Sequence, residues 1–491
     1  MRLVLNGRRR IRPRSQTKRR KTVMGGFFGV ASQNSCIKDL FYGTDYHSHL
    51  GTRRGGMAVL GKRGFARHIH NIENAQFRSK FETDVLTMDG RSGIGVISDY
   101  EDQPLLIASH LGNYAIVTVG VIHNAVQLAE RAFSRRPTHF SELGGGEINP
   151  TELVATLINE EDTFEDGIRK AQELIRGSCS VLLLTSRGIY AARDRFGRTP
   201  VILGKKKNGR AYAVTMETTA FPNLDYETTR YLGPGEVVLV TAEGVEQKKK
   251  PLAKLRICSF LWVYYGYPSS HYEGINVEEV RYRCGAALAK NDPAKIDIVA
   301  GIPDSGTSHA MGYANQAGIP FIRPFVKYTP TWPRSFMPQD QSVRRLVAAM
   351  KLIPIPELIR GRRMLFCEDS IVRGTQLGDI IRRLFRLGAE EVHMRPACPP
   401  LVFGCKFLNF SRSKTELELA ARRAIHEIEG IDAKNLDSYT DPCSEKYCLM
   451  VEKIRRRLGL TSLRYQRLED LVSAIGLSRD KLCTYCWTGQ D

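Results

Sequence analysis

The residues best suited to chemistry lie in the stretch Met364-Leu-Phe-Cys-Glu-Asp-Ser-Ile-Val-Arg-Gly-Thr375. Met364 to Cys367 is a short apolar run of the kind that forms a buried strand. Glu368 and Asp369 then put two carboxylates at its carboxyl end, where open α/β sheets place their ligands. Ser370, Ile371, Val372, Arg373, Gly374 and Thr375 make a tight turn. Beyond it Leu377, Ile380, Ile381, Leu384 and Phe385 recur at the spacing of a helix with one buried face. A turn that opens a helix offers a phosphate free backbone N–H groups and the positive end of the helix dipole. Paired acids beside it accept hydrogen bonds from sugar hydroxyls or hold Mg²⁺. Together they describe a ribose-phosphate site. Taken singly, the acids read as a solvated strand end and the Gly-Thr turn as weak evidence.

The whole string Glu368 to Thr375 resembles the phosphoribosyl diphosphate (PRPP) motif of phosphoribosyltransferases. It is most similar to that of the glutamine PRPP amidotransferase family, which opens purine synthesis. Glu368 stands where the family usually has Asp, a carboxylate one methylene longer. The resemblance implies that Glu368 and Asp369 hold the ribose hydroxyls and, with Ser305, Mg²⁺, while Ser370 to Thr375 wrap the 5′-phosphate. Pro303-Asp304-Ser305-Gly306 follows an apolar run, Ile296 to Ile302, that reads as a strand. Alone it is an ordinary turn; in the family this turn is the pyrophosphate loop. Lys327 to Met337 lies where the family has a mobile lid, one residue longer here and with three extra Pro or Trp residues. A stiffer lid and an altered acceptor contact are the expectation. Lys327, Arg334 and Lys351 would place cations over the pyrophosphate as its bond breaks. The catalytic residues implied are Asp304, Lys327 and Arg334.

Met24-Gly-Gly-Phe-Phe-Gly-Val30 resembles the Met-Cys-Gly-Ile-Phe-Gly opening of the same family's glutaminase domain. There the exposed Cys, helped by its own α-amino group, attacks glutamine. Gly25 stands at that position and has no nucleophile. His49-Leu50-Gly51 replaces His-Arg-Gly, and Gly93-Ile-Gly-Val-Ile-Ser-Asp99 replaces a run whose Arg clamps the substrate carboxylate. Thr118-Val-Gly-Val121 replaces the oxyanion segment His-Asn-Gly-Asn, and Asn149-Pro-Thr-Glu152 the Ser-Asp-Ser-Glu that recognises the glutamine amine. The resemblance therefore implies a glutaminase fold without its reaction. Val181 to Leu184, Ile189 to Ala192 and Val237 to Val240 still read as strands. The family-like turns at Arg193 to Pro200 and Gly233 to Glu236 are expected to set backbone geometry or ion pairs.

Eleven cysteines are too few for a disulfide scaffold in a chain of 491 residues, and Cys483-Thr-Tyr-Cys486 points to metal in a reducing, cytoplasmic compartment. Cys258, Cys405, Cys483 and Cys486 coincide with the four cysteines that hold a 4Fe–4S cluster in one subfamily. Four thiolates also suit structural zinc, and spacing leaves both open. Cys36, Cys179, Cys284, Cys367, Cys398, Cys443 and Cys448 read as structural. Trp487, His47 and His49 read as packing or hydrogen-bonding residues.

This length supports two or three cores, and 42% hydrophobic with 25% charged residues is ordinary for a globular chain. The net charge of +20 would suit nucleic acid, but ten Lys or Arg fall within residues 1–23. That segment passes compositionally for an organellar presequence or a nucleic-acid-binding arm. The preferred reading is a disordered tail or an upstream start, with homologous chains beginning at Met24. The rest of the charge fits a substrate bearing several phosphates. No apolar run is long enough for a membrane helix. The domain plan is a tail (1–23), an amidotransferase-like domain (24–245), a lysine-rich linker (246–257) and a transferase domain with a metal-binding extension (258–491).

For the fold the resemblance implies α/β and α+β architecture. A four-layer αββα domain of the N-terminal-nucleophile hydrolase type, like class II glutamine amidotransferases, precedes a type I phosphoribosyltransferase domain with a parallel sheet. Ile319 to Val326 is expected as a further strand of that sheet. The expected function is transfer of ribose-5-phosphate from PRPP to ammonia, free or supplied by a donor protein. A homo-oligomer and purine-nucleotide regulation are also implied. Two alternatives stay open: transfer to another nucleophile, and a non-catalytic PRPP or nucleotide sensor.

Overall fold

Along the strand Gly25–Ser32, Phe27 and Ala31 point to one side and Phe28 and Val30 to the other, and all four are buried. Side chains alternate along a strand, so this one needs cover on both faces. The computed structural model describes residues 25–99, 101–135, 140, 143–144, 147–327, 352–408, 415–430 and 435–491. It supplies that cover with two stacked antiparallel sheets. One has seven strands in the order Tyr226–Tyr231, Ile202–Lys206, Ala211–Thr215, Gly25–Ser32, Ser92–Ser98, Arg54–Gly61, Gly64–Asn71. The other has six, in the order Val245–Lys249, Val237–Val240, Gly188–Ala192, Gly177–Thr185, Gly112–Ile122, Leu105–Ser109.

Phe27, Ile94, Leu182, Leu184 and Val214 fill the space between the sheets. The leucine run in Gly177–Thr185 is continuous because Val181 and Leu183 face the outer helices while Leu182 and Leu184 face the other sheet. Helices Pro150–Ile158 and Phe164–Leu174 cover the six-stranded sheet, and Ile37–Asp45 and Phe77–Thr87 cover the seven-stranded one. This is the αββα arrangement.

The second domain is built on a parallel sheet in the order Ile298–Gly301, Arg363–Glu368, Glu391–Pro396, Ser462–Leu463. Here Ile319 to Val326 departs from the expectation. Phe321 makes a single parallel bridge to Val299, and Phe325–Lys327 turns away to pair antiparallel with Leu352–Pro354. Pro320 and Pro324 lack the N–H groups that a continuous strand would need. The stretch read as a linker also differs: Val245–Lys249 is the edge strand of the six-stranded sheet. Its exposed residues are Glu246 and Gln247, while Lys248 and Lys249 are half-buried and paired with Glu246 and Asp166; charged side chains are a common device on an edge. Cys443 and Cys448 are exposed and take no part in the core.

Asp292, beyond the helix Val277–Ala289, is buried against Arg395 on the third parallel strand. The guanidinium donates from Nε at 2.5 Å and from Nη2 at 2.8 Å. Burial would raise the Asp292 carboxyl, but hydrogen bonds and charge from Arg395 hold it below the usual carboxylate range. Asp292→Asn leaves a buried guanidinium without a counter-charge. We expect it to lower the unfolding free energy by about 3–5 kcal/mol, read as a fall in the urea midpoint.

Candidate functional site

Ile298–Gly301 and Arg363–Glu368 run side by side with Gly301 opposite Cys367. From the first, the chain turns into the helix Gly306–Ala317 and comes back at Phe321 on the outer side. From the second, it turns into the helix Thr375–Arg386 and comes back in Glu391–Pro396 on the opposite side. The two connections diverge and leave a crevice between the strand ends, the switch point at which such sheets bind ligands.

The predicted acids and the predicted pyrophosphate loop meet in this crevice. Ser305 Oγ donates to Asp369 Oδ2 at 2.6 Å, and Ser370 Oγ donates to Asp369 Oδ1 at 2.5 Å. Asp369 is buried, and Glu368 closes its strand half-buried. Burial, then the charge and hydrogen bond of Asp369, hold the Glu368 carboxyl well above the carboxylate range. A Cβ on Gly306 would collide with the Cys367 carbonyl, so glycine lets this helix start directly against the acid-bearing strand. Asp304 and Lys327 form an ion pair at the mouth, with 71% and 52% of their side chains exposed.

The Ser370–Thr375 turn has the polarity of an anion cradle. Among the described residues, none accepts a hydrogen bond from the backbone N–H groups of residues 370–375. Gly374, with φ of 73°, supplies the left-handed bend into the helix. Ile371 is buried in the core and Val372 packs against it, so both offer the crevice backbone only. Arg334 and Lys351 lie outside the described residues.

Arg281 was not singled out from the sequence. Its buried guanidinium donates to the carbonyls of Trp262 (3.0 Å), Tyr264 (2.7 Å) and Gly266 (2.9 Å). Burial lowers its pKa, while the nearby charges of Glu278 and Asp369 oppose that shift. It therefore sits as a cation behind the acid pair. The available signal was an arginine in register with Val277, Val280, Cys284 and Leu288 on the apolar helix face.

Cys258, Cys405, Cys483 and Cys486 all line one small pocket with Phe260, Phe407 and Trp487. Cys258 and Cys483 are brought opposite each other by the parallel pair Ile257–Cys258 and Leu482–Cys483. Arg198 Nη1 donates to Cys483 Sγ at 3.1 Å, and Leu408 N to Cys405 Sγ at 3.3 Å.

A third cavity lies beside Gly25 and between the domains, lined by Leu50, Val119, Gly120 and Glu217 on one side and Leu261 and Tyr265 on the other. A Cβ at position 25 would sit 2.5 Å from the Ile97 carbonyl oxygen. The neighbouring polar positions bond to one another. Asp99 Oδ1 accepts from Thr52 N at 2.6 Å, Thr118 Oγ1 and Thr151 Oγ1 are 2.6 Å apart, and Asn149 Oδ1 caps its helix at Thr151 N, 2.9 Å. Burial lowers the His47 pKa to about 4, leaving a neutral ring held between Gly43 O and Thr215 Oγ1.

Known proteins were compared against this frame. A family model described as a glutamine amidotransferase domain matches residues 90–223. The chain is 31% identical over 455 residues to the chloroplastic amidophosphoribosyltransferase of Glycine max, covering 90% of this chain and 73% of that one. It is 30% identical over 487 residues to the amidophosphoribosyltransferase of Methanothermobacter thermautotrophicus, covering 94% and 93%. This chain belongs to the amidophosphoribosyltransferase family. The solved glutamine PRPP amidotransferase of B. subtilis, complexed with ADP and GMP, has a TM-score of 0.81 and 27% identity, covering 95% of this chain and 96% of that one. The two-domain fold of this family is thus present nearly end to end. Because the glutamine amidotransferase match begins at residue 90, it rests on the scaffold beyond Gly25.

Within the matched region Glu101 is buried, and burial lifts its carboxyl to about 7 although Ser98 Oγ donates to it at 3.1 Å. The folded value lies above the unfolded one of about 4.3, so this group's stability is fully present below that pH and declines toward pH 7, by about 3 kcal/mol. Glu101→Gln removes the titration. Urea unfolding should find the variant and the parent equally stable at pH 4, and the variant more stable at pH 8 by about 2–3 kcal/mol.

Proposed function

We propose that this protein transfers the ribose-5-phosphate group of PRPP to ammonia, giving 5-phosphoribosylamine, without a glutaminase of its own. The observation that carries the transferase reading is the 2.6 Å hydrogen bond between Ser305 and Asp369. It joins the loop suited to pyrophosphate and the acids suited to ribose in one crevice, so both halves of a single substrate have their partners within reach. Glu368 and Asp369 accept from the ribose hydroxyls, and the free amides of residues 370–375 take the 5′-phosphate. Ser305 and Lys327, with Arg334 and Lys351 from the lid side, hold the pyrophosphate as negative charge grows on it. Asp304 orients Lys327. The amine attacks C1 from the face opposite the departing pyrophosphate while the ring becomes oxocarbenium-like.

Mg²⁺ fits the acid pair, because Glu368, buried beside the carboxylate of Asp369, is held well above the carboxylate range, and a cation there would offset that cost. Ser305, Glu368 and Asp369 would hold it, and it would supply charge neutralisation for the substrate's phosphates. An iron–sulfur cluster fits the cysteine pocket. Cys258, Cys405, Cys483 and Cys486 surround one space, with Arg198 available to a thiolate. No group of three or more described His, Cys, Asp or Glu side chains is arranged to hold a single metal ion. What favours iron–sulfur over zinc is that these four positions coincide with the cysteines of the cluster-bearing subfamily. Such a cluster would tie the C-terminal residues to Arg198 of the first domain.

Loss of the glutaminase is supported by Gly25 itself, by its closeness to the Ile97 carbonyl, and by the self-bonded polar groups around it. The deciding experiment is pyrophosphate release from PRPP with Mg²⁺, supplied with ammonium or with glutamine. Turnover with ammonium alone is expected; turnover of pure protein on glutamine would refute the loss. For the cluster, anaerobically purified protein should contain iron and labile sulfide in equal amounts, about four of each per chain. Cys483→Ser should lose both, and a stoichiometric zinc content in the parent would count against the cluster.

A further inference from the structure

A loop that turns its amides inward to a phosphate must send its carbonyls outward, and buried carbonyls need donors. In the turn after Asp369 the donors come from one place, the segment leading into the helix Ala420–Glu429. Ala420 N donates to Val372 O at 2.8 Å, and Arg423 Nη2 donates to Arg373 O. Glu418 Oε2 pairs with the Arg373 side chain at 2.7 Å. Two consecutive carbonyls and one side chain of the turn are thus held by residues that the sequence alone gave no role.

Arg423 is the unusual member. It is half-buried, and its Nε is buried without a hydrogen-bond partner. The neighbouring carboxylates are engaged with other arginines: Glu418 with Arg373, Glu416 with Arg422 and Glu427 with Arg457. Burial lowers its pKa, the nearby cations Arg457 and Arg373 lower it further, and the charge of Glu418, already paired with Arg373, opposes the shift. A partly desolvated guanidinium among cations, sharing the charge of Glu418 with Arg373, gains from an arriving anion. The open amides of the adjoining turn are where a dianionic phosphate would arrive.

We propose that Arg423 is a positioning residue for the 5′-phosphate of the substrate: by capturing the Arg373 carbonyl it aims the turn's amides at the phosphate, and its incompletely neutralised charge raises affinity for that group alone. Glu418 has the contrary effect, holding Arg373 as an internal substitute for the phosphate. The proposal rests on the transferase reading above, and extends it to the discrimination of a 5-phosphorylated sugar from its pyrophosphate half.

Two fragments of the substrate separate the possibilities, because ribose 5-phosphate reports on the turn and Mg²⁺-pyrophosphate on the loop at Ser305. Titration calorimetry of the full-length protein with each fragment is the measurement. Binding of neither fragment to the parent would refute the transferase reading itself. With both bound, Arg423→Gln should weaken ribose 5-phosphate by about tenfold or more, and Arg423→Lys should restore at least about half of that loss on a logarithmic scale. Pyrophosphate should stay within about twofold. Unchanged ribose 5-phosphate binding, or parallel weakening of both fragments, would overturn the proposal. Should Arg423→Gln not fold, Glu418→Gln decides: ribose 5-phosphate binding equal to the parent or tighter supports the proposal, and weaker binding overturns it.

Discussion

One hydroxyl reaching one carboxylate, Ser305 to Asp369, closes the distance between two stretches of chain 64 residues apart. It forms only because two parallel strands end side by side and their connections leave in opposite directions. Everything around it serves that meeting. Gly306 lets a helix end approach the acid strand, Arg281 sets a cation behind the acids, and the Ser370–Thr375 turn leaves its amides open. The crevice therefore presents acids, hydroxyls and free amides within one small volume, each suited to a different part of a phosphorylated, pyrophosphate-bearing sugar.

The amino-terminal domain is held to this centre by buried polar contacts rather than by a flexible tether. Tyr272 OH donates to Glu217 Oε1 at 2.5 Å, and His49 Nε2 lies 2.9 Å from Glu217 Oε2. Burial alone would raise Glu217, but the charges and hydrogen bonds of His49, His47 and Tyr272 hold it below the usual range. Arg193, fully buried, pairs with Glu273 at 2.7 Å, and Arg198 reaches both Cys483 and Asp491. Removing one partner from such a network leaves a buried charge exposed to a low-dielectric interior, at a penalty of several kcal/mol. Whatever chemistry position 25 supports, the domain is not free to be lost. It remains part of the foundation on which residues 261–281, and hence Arg281, are placed.

Much of this was legible in the chain. The run Met364 to Cys367 is apolar because both faces of its strand are covered, and Glu368-Asp369 must follow at its exposed end. The same local logic gave the strands around Leu183, Ala191 and Leu239. It failed where long-range pairing decides. Residues 319–326 are apolar enough for a strand, yet two prolines and the competing partner Leu352–Pro354 divert them. Residues 246–249 look like the start of a lysine-rich linker, yet the free edge of Val237–Val240, whose other edge pairs with Gly188–Ala192, recruits them as an edge strand.

The sequence by itself determined the chemical inventory: two acids before a tight turn that opens a helix, a Pro-Asp-Ser-Gly loop, four cysteines and a glycine at position 25. Side-chain type and short-range spacing suffice for that, because they fix what each stretch can donate, accept or bury. Only the tertiary structure decided which of these share a space. It brought Ser305 to Asp369, four cysteines from three distant segments to one pocket, and Arg423 to the carbonyl of Arg373. Such meetings depend on strand order and on the direction of each crossover, which no local pattern encodes.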